Sequence, residues 1–330
     1  MIMKVARYNT FGSAETVLEI TEIADPTIND EEVLVRINTS GINPSDVKKR
    51  AGAFPDLLDE GFVIPHSDGA GIIVDVGAGV SKDRIGQRVW IYQAQYARNF
   101  GTAAELISID ARRAVALSEK ASFEVGACLG IPAMTAHRCV YADGPVTGKW
   151  VLITGGAGRV GYYAIQWAKL SGAKVVTTTS NDQDKAMCME LGVDAVVNHC
   201  DDKWASDALR ASDGEKFDRV IDVEFGVNLS EILNTVKTGA TIVTYSSAKN
   251  PTPELPFLRV MYMDLTLRFV IVYAMPEEAK QEAIKDINNA IENGELQHRV
   301  MRDFPLEDIQ KGHQLIESGK ARGCVLLNLD

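Results

Sequence analysis

The sequence predicts an α/β protein that combines a doubly wound parallel sheet with a second, β-rich domain. From about Ser122 onwards, apolar strand candidates alternate with amphipathic helix candidates, which is typical of a parallel sheet covered by helices on both faces. Residues 1 to about 120 instead contain short strand candidates separated by turn residues. A chain of 330 residues is also long enough for two domains.

The β-rich region contains β-branched and alternating segments of strand length. Val33, Val35 and Ile37, for example, would share one face of a strand. Turn residues such as Asp25-Pro26 and Gly77-Ala78-Gly79 separate these segments. The predicted strands are Met3–Arg7, Val33–Ile37, Gly71–Val76, Arg88–Tyr92 and Ala104–Ile109.

In the region that follows, apolar runs of strand length alternate with segments that have the hydrophobic period of a helix. The predicted helices are Ser122–Leu129, Met134–Tyr141, Leu229–Val236, Glu277–Asn293 and Leu306–Ser318. The predicted strands are Trp150–Ile153, Lys174–Thr179, Ala195–Val197, Phe217–Asp222, Thr241–Tyr245, Leu265–Val272 and Cys324–Leu329. Gly294 and Gly319 stand where two of these helices are expected to stop.

Residues 149–181 carry the most specific signal in the chain. After an apolar strand, Gly156-Ala157-Gly158-Arg159-Val160-Gly161 fits G-x-G-x-x-G, and a helix and a second strand follow. A lone motif of this kind is better explained by a turn that binds nothing, but within a βαβ unit of about 30 residues it indicates dinucleotide binding. Gly156 would permit the tight turn, Gly158 the approach of a pyrophosphate, and Gly161 close packing of the helix.

The end of the second strand indicates which nicotinamide cofactor binds. Sites for NAD usually carry an acidic residue there, whereas this strand ends in Thr179-Ser180-Asn181. Ser180 and Gln183 are predicted to form a capping box, which places the neighbouring aspartates in the first turn of a helix. Lys185 is either a ligand of a 2′-phosphate or an exposed helical lysine. NADP(H) is therefore predicted rather than NAD(H).

Composition and charge exclude several classes of partner. The net charge of −11 argues against nucleic acid or an anionic membrane as the main partner. No apolar run has the length of a membrane span, and the first residues lack the apolar segment of a signal peptide. The five cysteines show no C-x-x-C spacing, so neither a disulfide framework nor a zinc ribbon is expected. The chain is expected to be a reduced, cytoplasmic enzyme.

Several motifs together resemble those of a known family. They are GINPSD (Gly41–Asp46), DGAG (Asp68–Gly71), GTAAE (Gly101–Glu105), GACLGIPAMTA (Gly126–Ala136), the glycine motif, and the closing Phe304-Pro305-Leu306 with Gly323–Leu327. With them, nearly the whole chain resembles the medium-chain dehydrogenase/reductase superfamily, and within it the zinc-free quinone oxidoreductase (zeta-crystallin-like) branch. The resemblance implies a GroES-like β-barrel catalytic domain built from both chain ends, a Rossmann NADP-binding domain between them, and an active site in the cleft. It implies the domain limits 1–123, 124–272 and 273–330, and a homodimer formed near Leu265–Tyr273.

The resemblance also locates the catalytic zinc ligands of related alcohol dehydrogenases, which would fall at Asn43, Ser67 and Ile131. None of these is the usual ligand, so no catalytic zinc is expected. His66 replaces a family glycine beside one of these positions and is expected to be a hydrogen-bonding residue of the cleft. Without a metal Lewis acid, reduction of a quinone or of an alkene conjugated with a carbonyl is favoured over alcohol oxidation.

The candidate catalytic residues are Asn43, Asp46 and Lys48. By resemblance, Asn43 and Asp46 line the cleft near the nicotinamide and orient the substrate, although the same residues also fit a turn and helix cap. Lys48 stands where the family often has a tyrosine, and it either donates to a substrate oxygen or points to solvent. Three adjacent basic residues, Lys48, Lys49 and Arg50, are more typical of a solvated face.

The resemblance further implies cofactor contacts outside the three glycines. Thr135 would approach the nicotinamide ribose, while Ser180, with Lys185 and His199, would approach the 2′-phosphate. Arg159, which lies beside Val160 inside the motif, either pairs with a phosphate or is exposed. The remaining contacts are expected at strand ends, at Val223, Tyr245, Ser246 and the backbone around Phe269 and Ile271.

The sequence thus predicts an NADPH-dependent reductase of small-molecule quinones or activated alkenes, with no nucleic-acid or membrane partner. Two alternatives stay open. A reductase of enoyl thioesters would need a basic patch for the phosphates of coenzyme A, and Lys48–Arg50 is the compact basic cluster near the cleft. A non-catalytic, NADPH-binding protein of the zeta-crystallin type is disfavoured by the intact glycines and by Asn43.

Overall fold

The computed structural model describes residues 1–329. The chain forms two compact units, one of Met1–Ile131 together with the chain from Ile284, the other of Pro132–Ala283. The domain limits 1–123, 124–272 and 273–330 stay a prediction. Within residues 1–329, no helix is both long enough and apolar enough to cross a membrane.

Strands and helices are numbered in chain order. The strands are β1 (Ile2–Arg7), β2 (Glu19–Ala24), β3 (Glu32–Ile42), β4 (Asp68–Val76), β5 (Arg88–Ile91), β6 (Leu106–Asp110), β7 (Ala114–Ala116), β8 (Trp150–Ile153), β9 (Lys174–Thr179), β10 (Ala195–Asn198), β11 (Phe217–Asp222), β12 (Val236–Thr244), β13 (Thr266–Phe269), β14 (Val300–Pro305) and β15 (Cys324–Asn328). The α-helices are α1 (Ala14–Val17), α2 (Pro44–Arg50), α3 (Phe123–Gly126), α4 (Met134–Tyr141), α5 (Arg159–Leu170), α6 (Asp182–Glu190), α7 (Trp204–Ala211), α8 (Phe225–Thr235), α9 (Phe257–Tyr262), α10 (Glu277–Asn293) and α11 (Ile309–Glu317).

The first unit is organised around β3. Its sheet has the order β14-β15-β3-β4-β5-β7, with β6 also paired to β3, while β1 and β2 form a separate antiparallel pair. Val33, Val35 and Ile37 alternate along β3 and pack with Ile73 and Ile107 in one buried core, as their spacing predicts. This unit confirms the predicted β-rich domain.

The second unit contains a six-stranded sheet in the order β10-β9-β8-β11-β12-β13, and every neighbouring pair is parallel. Counted from β8, this is the order 3-2-1-4-5-6 of a doubly wound dinucleotide-binding sheet. Leu152, Val176, Val220 and Ile242 lie in its buried core. The predicted fold class is therefore confirmed, and the carboxyl ends of β8, β9, β11 and β12 form one edge of the sheet.

Some elements differ from the prediction. The helix expected over Ser122–Leu129 is only α3, since Leu129–Ala133 makes a π-helical turn that contains Pro132, a residue without an N–H. The C-terminal helix begins as a 3₁₀ turn over Leu306–Asp308 before α11. β2 and β14 are absent from the prediction, because charged residues such as Glu22 and Arg302 interrupt their apolar pattern.

Candidate active site

The glycine turn joins β8 to α5. Gly155, which the motif does not include, has the positive φ of 66°. Its N–H donates to Thr178 Oγ1 at 2.9 Å, which ties the turn to β9. Gly156 is needed for space, because a Cβ there would lie 2.2 Å from Thr177 Oγ1. Gly156 therefore lies in the turn and has no room for a Cβ, while the positive φ of the turn is at Gly155.

Gly158 and Gly161 differ in how closely other atoms approach them. A Cβ at Gly161 would lie 2.3 Å from Gly155 O, so α5 approaches the turn this closely only with glycine there. At Gly158, the nearest atom to such a Cβ is Gly155 O at 3.1 Å, so the space is far less crowded. Arg159 and Val160 begin α5 and are half-buried. The N-terminus of α5, with its positive dipole end, therefore lies at this turn.

The residues predicted for the 2′-phosphate lie at one corner of the sheet edge. Thr179 of β9 pairs with Asn198 of β10, so Ser180 and His199 follow neighbouring strand ends. Ser180 is half-buried, whereas His199 is exposed, as is Lys185 on α6. No acidic residue directly follows β9.

The helix cap at this corner corrects one prediction. Asn181 is the N-cap of α6, and its Oδ1 accepts from Asp184 N at 2.9 Å. Asn181 Nδ2 also donates to Asp184 Oδ2 at 2.8 Å, and Asp184 is buried. The capping box expected between Ser180 and Gln183 is thus wrong, because asparagine is as good an N-cap as serine and lies one residue later. Ser180 is left outside the helix.

Asp222, at the carboxyl end of β11, organises the next part of the edge. Its Oδ1 accepts from Thr154 Oγ1 at 2.6 Å and from Asn228 Nδ2 at 2.8 Å, and its Oδ2 accepts from Glu224 N at 3.2 Å. Val223 N donates to Thr154 Oγ1 at 3.0 Å. Burial raises the pKa of Asp222. The candidate Val223 is held in place by this network, in which Asp222 is a residue that sequence reasoning missed.

The other candidate cofactor contacts of the second unit differ in exposure. Thr135 is buried on α4, and Tyr245 and Ser246 follow β12 and are half-buried. Phe269 ends β13 and is exposed, as is Ile271. The roles of these residues stay predictions.

In the first unit, Asn43 and Asp46 join a buried polar cluster at the start of α2. Asp46 Oδ2 accepts from Asn43 N at 2.8 Å, so the helix-cap interpretation of these residues is confirmed. The Asn43 side chain has a second task, because its Nδ2 donates to Asp68 Oδ2 at 2.8 Å. Ile131 N donates to the same carboxylate at 2.9 Å. Burial nevertheless raises the pKa of Asp68 to about 8, although both of these bonds oppose the shift.

The basic run at the end of α2 is not a solvated face. Lys48 is exposed, whereas Lys49 and Arg50 are buried. Arg50 Nη1 donates to Gly12 O at 2.5 Å, and its other terminal nitrogen forms an ion pair with Glu317. The solvated-face interpretation is therefore wrong for two of the three residues, and the catalytic role of Lys48 stays a prediction.

A chain of hydrogen bonds runs through the buried side chains around His66. The direction of each hydrogen bond follows from the Asp68 backbone carbonyl at the end of the chain, because a carbonyl oxygen can only accept. Thr102 Oγ1 donates to Asp68 O at 2.6 Å, so its oxygen accepts from Ser40 Oγ at 2.7 Å. Ser40 Oγ in turn accepts from His66 Nδ1–H at 2.9 Å. His66 Nε2 is then the acceptor for His313 Nε2–H, also at 2.9 Å.

This chain requires the His66 imidazole to be neutral, because its Nε2 accepts a hydrogen bond. Burial lowers the pKa of His66 to about 3, with a further contribution from the charge of Lys49. Burial also lowers the pKa of His313 well below its ordinary value, and the neighbouring His66 and Arg50 act in the same direction. His66 is hydrogen-bonded, as expected, but it adopts a φ of 80°, a conformation that costs a residue with a Cβ about 1–2 kcal/mol.

Comparison with known proteins agrees with this architecture. The profile described as "Alcohol dehydrogenase GroES-like domain" matches residues 29–164, and the one described as "Zinc-binding dehydrogenase" matches residues 160–289. The quinone oxidoreductase of Sus scrofa is 30% identical over 333 residues, which cover 99% of this chain and 98% of that protein. The chain belongs to the quinone oxidoreductase branch of the medium-chain dehydrogenase/reductase superfamily.

Two further similarities are consistent with this family of oxidoreductases. The 2-methylene-furan-3-one reductase of Solanum lycopersicum is 26% identical over 334 residues, covering 99% of this chain and 79% of that protein. The solved structure of a mycobacterial protein complexed with NADPH has a TM-score of 0.88 at 24% identity, covering 99% of this chain and 100% of that one. The second likeness shows the fold.

In this member of the quinone oxidoreductase branch, the candidate residues form two groups, one in each unit. The glycine turn and the sheet edge of the second unit bring together the cofactor candidates from Gly156 to Ser246. In the first unit, Asn43 and Asp46 meet in one cluster, from which Lys48 points away into solvent. Sequence reasoning missed Lys49 and Asp68 of that cluster, because nothing local distinguishes a buried lysine or aspartate from an exposed one.

Proposed function

We propose that this protein uses NADPH, without zinc, to reduce a quinone or an activated alkene. The observation that carries the proposal is the glycine turn between β8 and α5, combined with a β9 end that lacks an acidic residue. The similarity to the pig quinone oxidoreductase and the tomato 2-methylene-furan-3-one reductase supports this substrate class. The fold shared with a mycobacterial protein complexed with NADPH supports the cofactor.

The residues of the second unit fit a dinucleotide with a 2′-phosphate. The space that the missing Cβ of Gly158 leaves would receive the pyrophosphate at the N-terminus of α5. Ser180, Lys185 and His199 lie around one corner of the sheet and would hold the 2′-phosphate. Bound there, NADPH would supply the hydride for the reduction.

The residues of the first unit do not fit a catalytic zinc. At the positions where the resemblance places zinc ligands, the Asn43 amide and Ile131 N both bind Asp68. Ser67 Oγ lies 3.5 Å from Lys49 Nζ, and an ammonium is a poor neighbour for a metal cation. Among residues 1–329, no group of three or more His, Cys, Asp or Glu side chains is arranged to hold a metal ion. The proposed reaction contains no zinc step.

Asn43 and Asp46 would then orient the substrate without moving. Asp46 fixes the start of α2 through the Asn43 N–H, and Asp68 fixes the Asn43 amide. Side chains held in this way lose little freedom on binding, and such positioning is the main contribution a protein makes when the cofactor supplies the chemistry.

The test is NADPH oxidation, followed by its near-ultraviolet absorbance, with benzoquinone, phenanthrenequinone, methyl vinyl ketone and crotonyl-CoA as acceptors. Each assay is repeated with NADH. Turnover of a quinone or of the enone with a preference for NADPH supports the proposal. A preference for NADH refutes the cofactor part, and turnover of crotonyl-CoA alone moves the substrate to enoyl thioesters. Tight NADPH binding without any turnover would favour a non-catalytic protein.

We also propose that the protein is a homodimer. β13 is the outer strand of the six-stranded sheet, and it ends at Phe269, a residue that is 68% exposed. Ile271 is 56% exposed. An uncovered strand edge with large apolar side chains is suited to pairing with a second copy. Light scattering coupled to size exclusion measures the mass, and a monomer at micromolar concentration would refute this proposal.

A further inference from the structure

Lys49 is a buried cation in the middle of the polar cluster of the first unit. Its side chain leaves α2, and only 5% of the residue is exposed. Nζ donates to Gln95 O at 2.7 Å and lies 3.5 Å from Ser67 Oγ. Lysine is rarely buried to this extent, because its charge loses the solvation of water. A buried lysine that is held by a carbonyl and a hydroxyl therefore requires an explanation.

The backbone around these two acceptors is strained. Among residues 1–329, five residues other than glycine have a positive φ, and three of them border the Lys49 contacts. His66, with a φ of 80°, directly precedes Ser67. Gln93 (54°) and Ala97 (57°) lie on either side of Gln95. Strained backbone of this kind costs about 1–3 kcal/mol per residue and clusters at functional sites. The strained residues therefore surround the two groups that hold Lys49 Nζ, which indicates a functional role for this nitrogen.

The groups around Lys49 tune its acidity. Burial lowers the pKa of Lys49, while the carboxyl groups of Asp46 on α2 and Asp68 on β4 act in the opposite direction. His66, on which the charge of Lys49 also acts, stays neutral because its own pKa is lowered to about 3. An ammonium whose pKa lies below that of an exposed lysine is a better proton donor at neutral pH.

We propose that Lys49 is a catalytic residue of the reduction, in which its Nζ–H donates to the substrate oxygen that becomes negative and then transfers a proton to it. This inference rests on the proposed function. Conversion of a quinone to a hydroquinone adds two electrons and two protons, and a hydride brings both electrons and one proton. Lys49 supplies the second proton, an O–H bond forms as an N–H bond breaks, and the neutral amine regains its proton from water. A donor aimed at an oxygen that develops charge is worth about 100- to 1000-fold in kcat.

The first experiment compares wild type with Lys49→Met, which keeps the length of the side chain without its charge. With the quinone or enone that wild type turns over, kcat should fall about 100-fold. The KM for NADPH should not change, because its candidate ligands lie in the other unit. The rate of wild type should fall as pH rises through the pKa of Lys49, and the variant should lose this limb. Lys82→Met, an exposed lysine in a turn, is the matched control and should keep wild-type activity. A Lys49→Met enzyme with wild-type kcat overturns the proposal, as does a loss that occurs with Lys48→Met and not with Lys49→Met.

A second readout does not depend on turnover. The 4-nitrophenolate anion, in the presence of NADP+, mimics the phenolate oxygen of a half-reduced quinone and reports its ionisation by colour. Wild type should bind it and lower its apparent pKa, whereas Lys49→Met should bind it at least about 10-fold more weakly. Circular dichroism of the variant shows whether it is folded, and Lys49→Gln, which keeps a donor, replaces it if it is not. Equal binding by wild type and variant, or no binding by wild type, overturns the proposal. If wild type binds the anion through Lys49 but reduces no acceptor, only the proposed function fails.

Discussion

Replacing His66 by asparagine tests whether burial lowers the pKa of this imidazole as far as its surroundings imply. In the folded protein, burial lowers the pKa of His66 to about 3, whereas a histidine in the unfolded chain has a pKa of about 6.5. Between these values, the unfolded chain binds a proton that the folded protein does not bind. The free energy of unfolding therefore falls as pH decreases from 6.5 towards 3, and His66 has no effect of this kind above 6.5.

The size of the effect follows from the width of this window. Each pH unit below 6.5 lowers the free energy of unfolding by about 1.4 kcal/mol for one such histidine. At pH 4.5, His66 alone should therefore have removed about 2.7 kcal/mol, a large part of the roughly 5–15 kcal/mol that stabilises a typical domain. His313, whose pKa is lowered in the same direction, contributes with the same sign.

Urea unfolding of wild type and His66→Asn at a series of pH values measures this contribution. Asparagine tolerates a positive φ and does not titrate, so the strained backbone is kept. The difference between the two proteins at pH 8 reports the lost packing and hydrogen bonds, and only its change with pH is the test. Between pH 8 and 4.5, the variant should lose about 2.7 kcal/mol less than wild type. Parallel pH profiles would falsify the assignment of a neutral, buried His66.

Three further predictions concern the second unit. Gly158→Ala should fold, since its Cβ, 3.1 Å from Gly155 O, requires a shift of only a few tenths of an ångström, yet bind NADPH at least about 10-fold more weakly in a fluorescence titration. Gly161→Ala, with a Cβ 2.3 Å from Gly155 O, should also lower the melting temperature. An unchanged NADPH affinity of Gly158→Ala would contradict the assignment of Gly158 to the pyrophosphate. Ser180→Asp places an acid where NAD sites have one. It should lower the ratio of kcat/KM with NADPH to kcat/KM with NADH by about 100-fold. An unchanged ratio would exclude Ser180 as a neighbour of the 2′-phosphate. Asp222→Ala, which leaves buried donors without an acceptor, should reduce the free energy of unfolding by about 2–3 kcal/mol, more than Asp222→Asn; equal losses in urea unfolding would show that these hydrogen bonds do not matter.

The elements with a strong hydrophobic period could be predicted to the residue. The bounds of β11, α4 and α10 agree with those expected from the sequence, because burial on one or both faces dictates their pattern. The cap of α6 could not be predicted, because Ser180 and Asn181 are both good N-cap residues and adjacent. In the glycine turn, the run of glycines indicated a tight backbone turn but not which glycine has the positive φ. In the structure this is Gly155.

The polar cluster of the first unit was hidden for a different reason. Successive residues of a helix point about 100° apart, so Lys48, Lys49 and Arg50 cannot all face water if α2 packs on one side. Which of them is buried depends on acceptors from remote parts of the chain, such as Gln95 O and the Glu317 carboxylate. No local pattern contains that information. Charge runs predict exposure only where nothing distant supplies a partner.

The strained histidine and the buried lysine depend on each other. The charge of Lys49 helps to keep His66 neutral, and a neutral His66 is the acceptor that the hydrogen bond from His313 requires. His66 Nδ1–H in turn fixes Ser40 and, through Thr102, the backbone of Asp68, whose carboxyl group acts on Lys49. The two groups therefore belong to one network that closes on itself. A glycine at position 66 would relieve the backbone strain, but it would also remove the imidazole on which this network depends. The hydrogen bonds of His66 therefore compensate for its unfavourable φ, next to the Lys49 cation that is proposed to donate the proton.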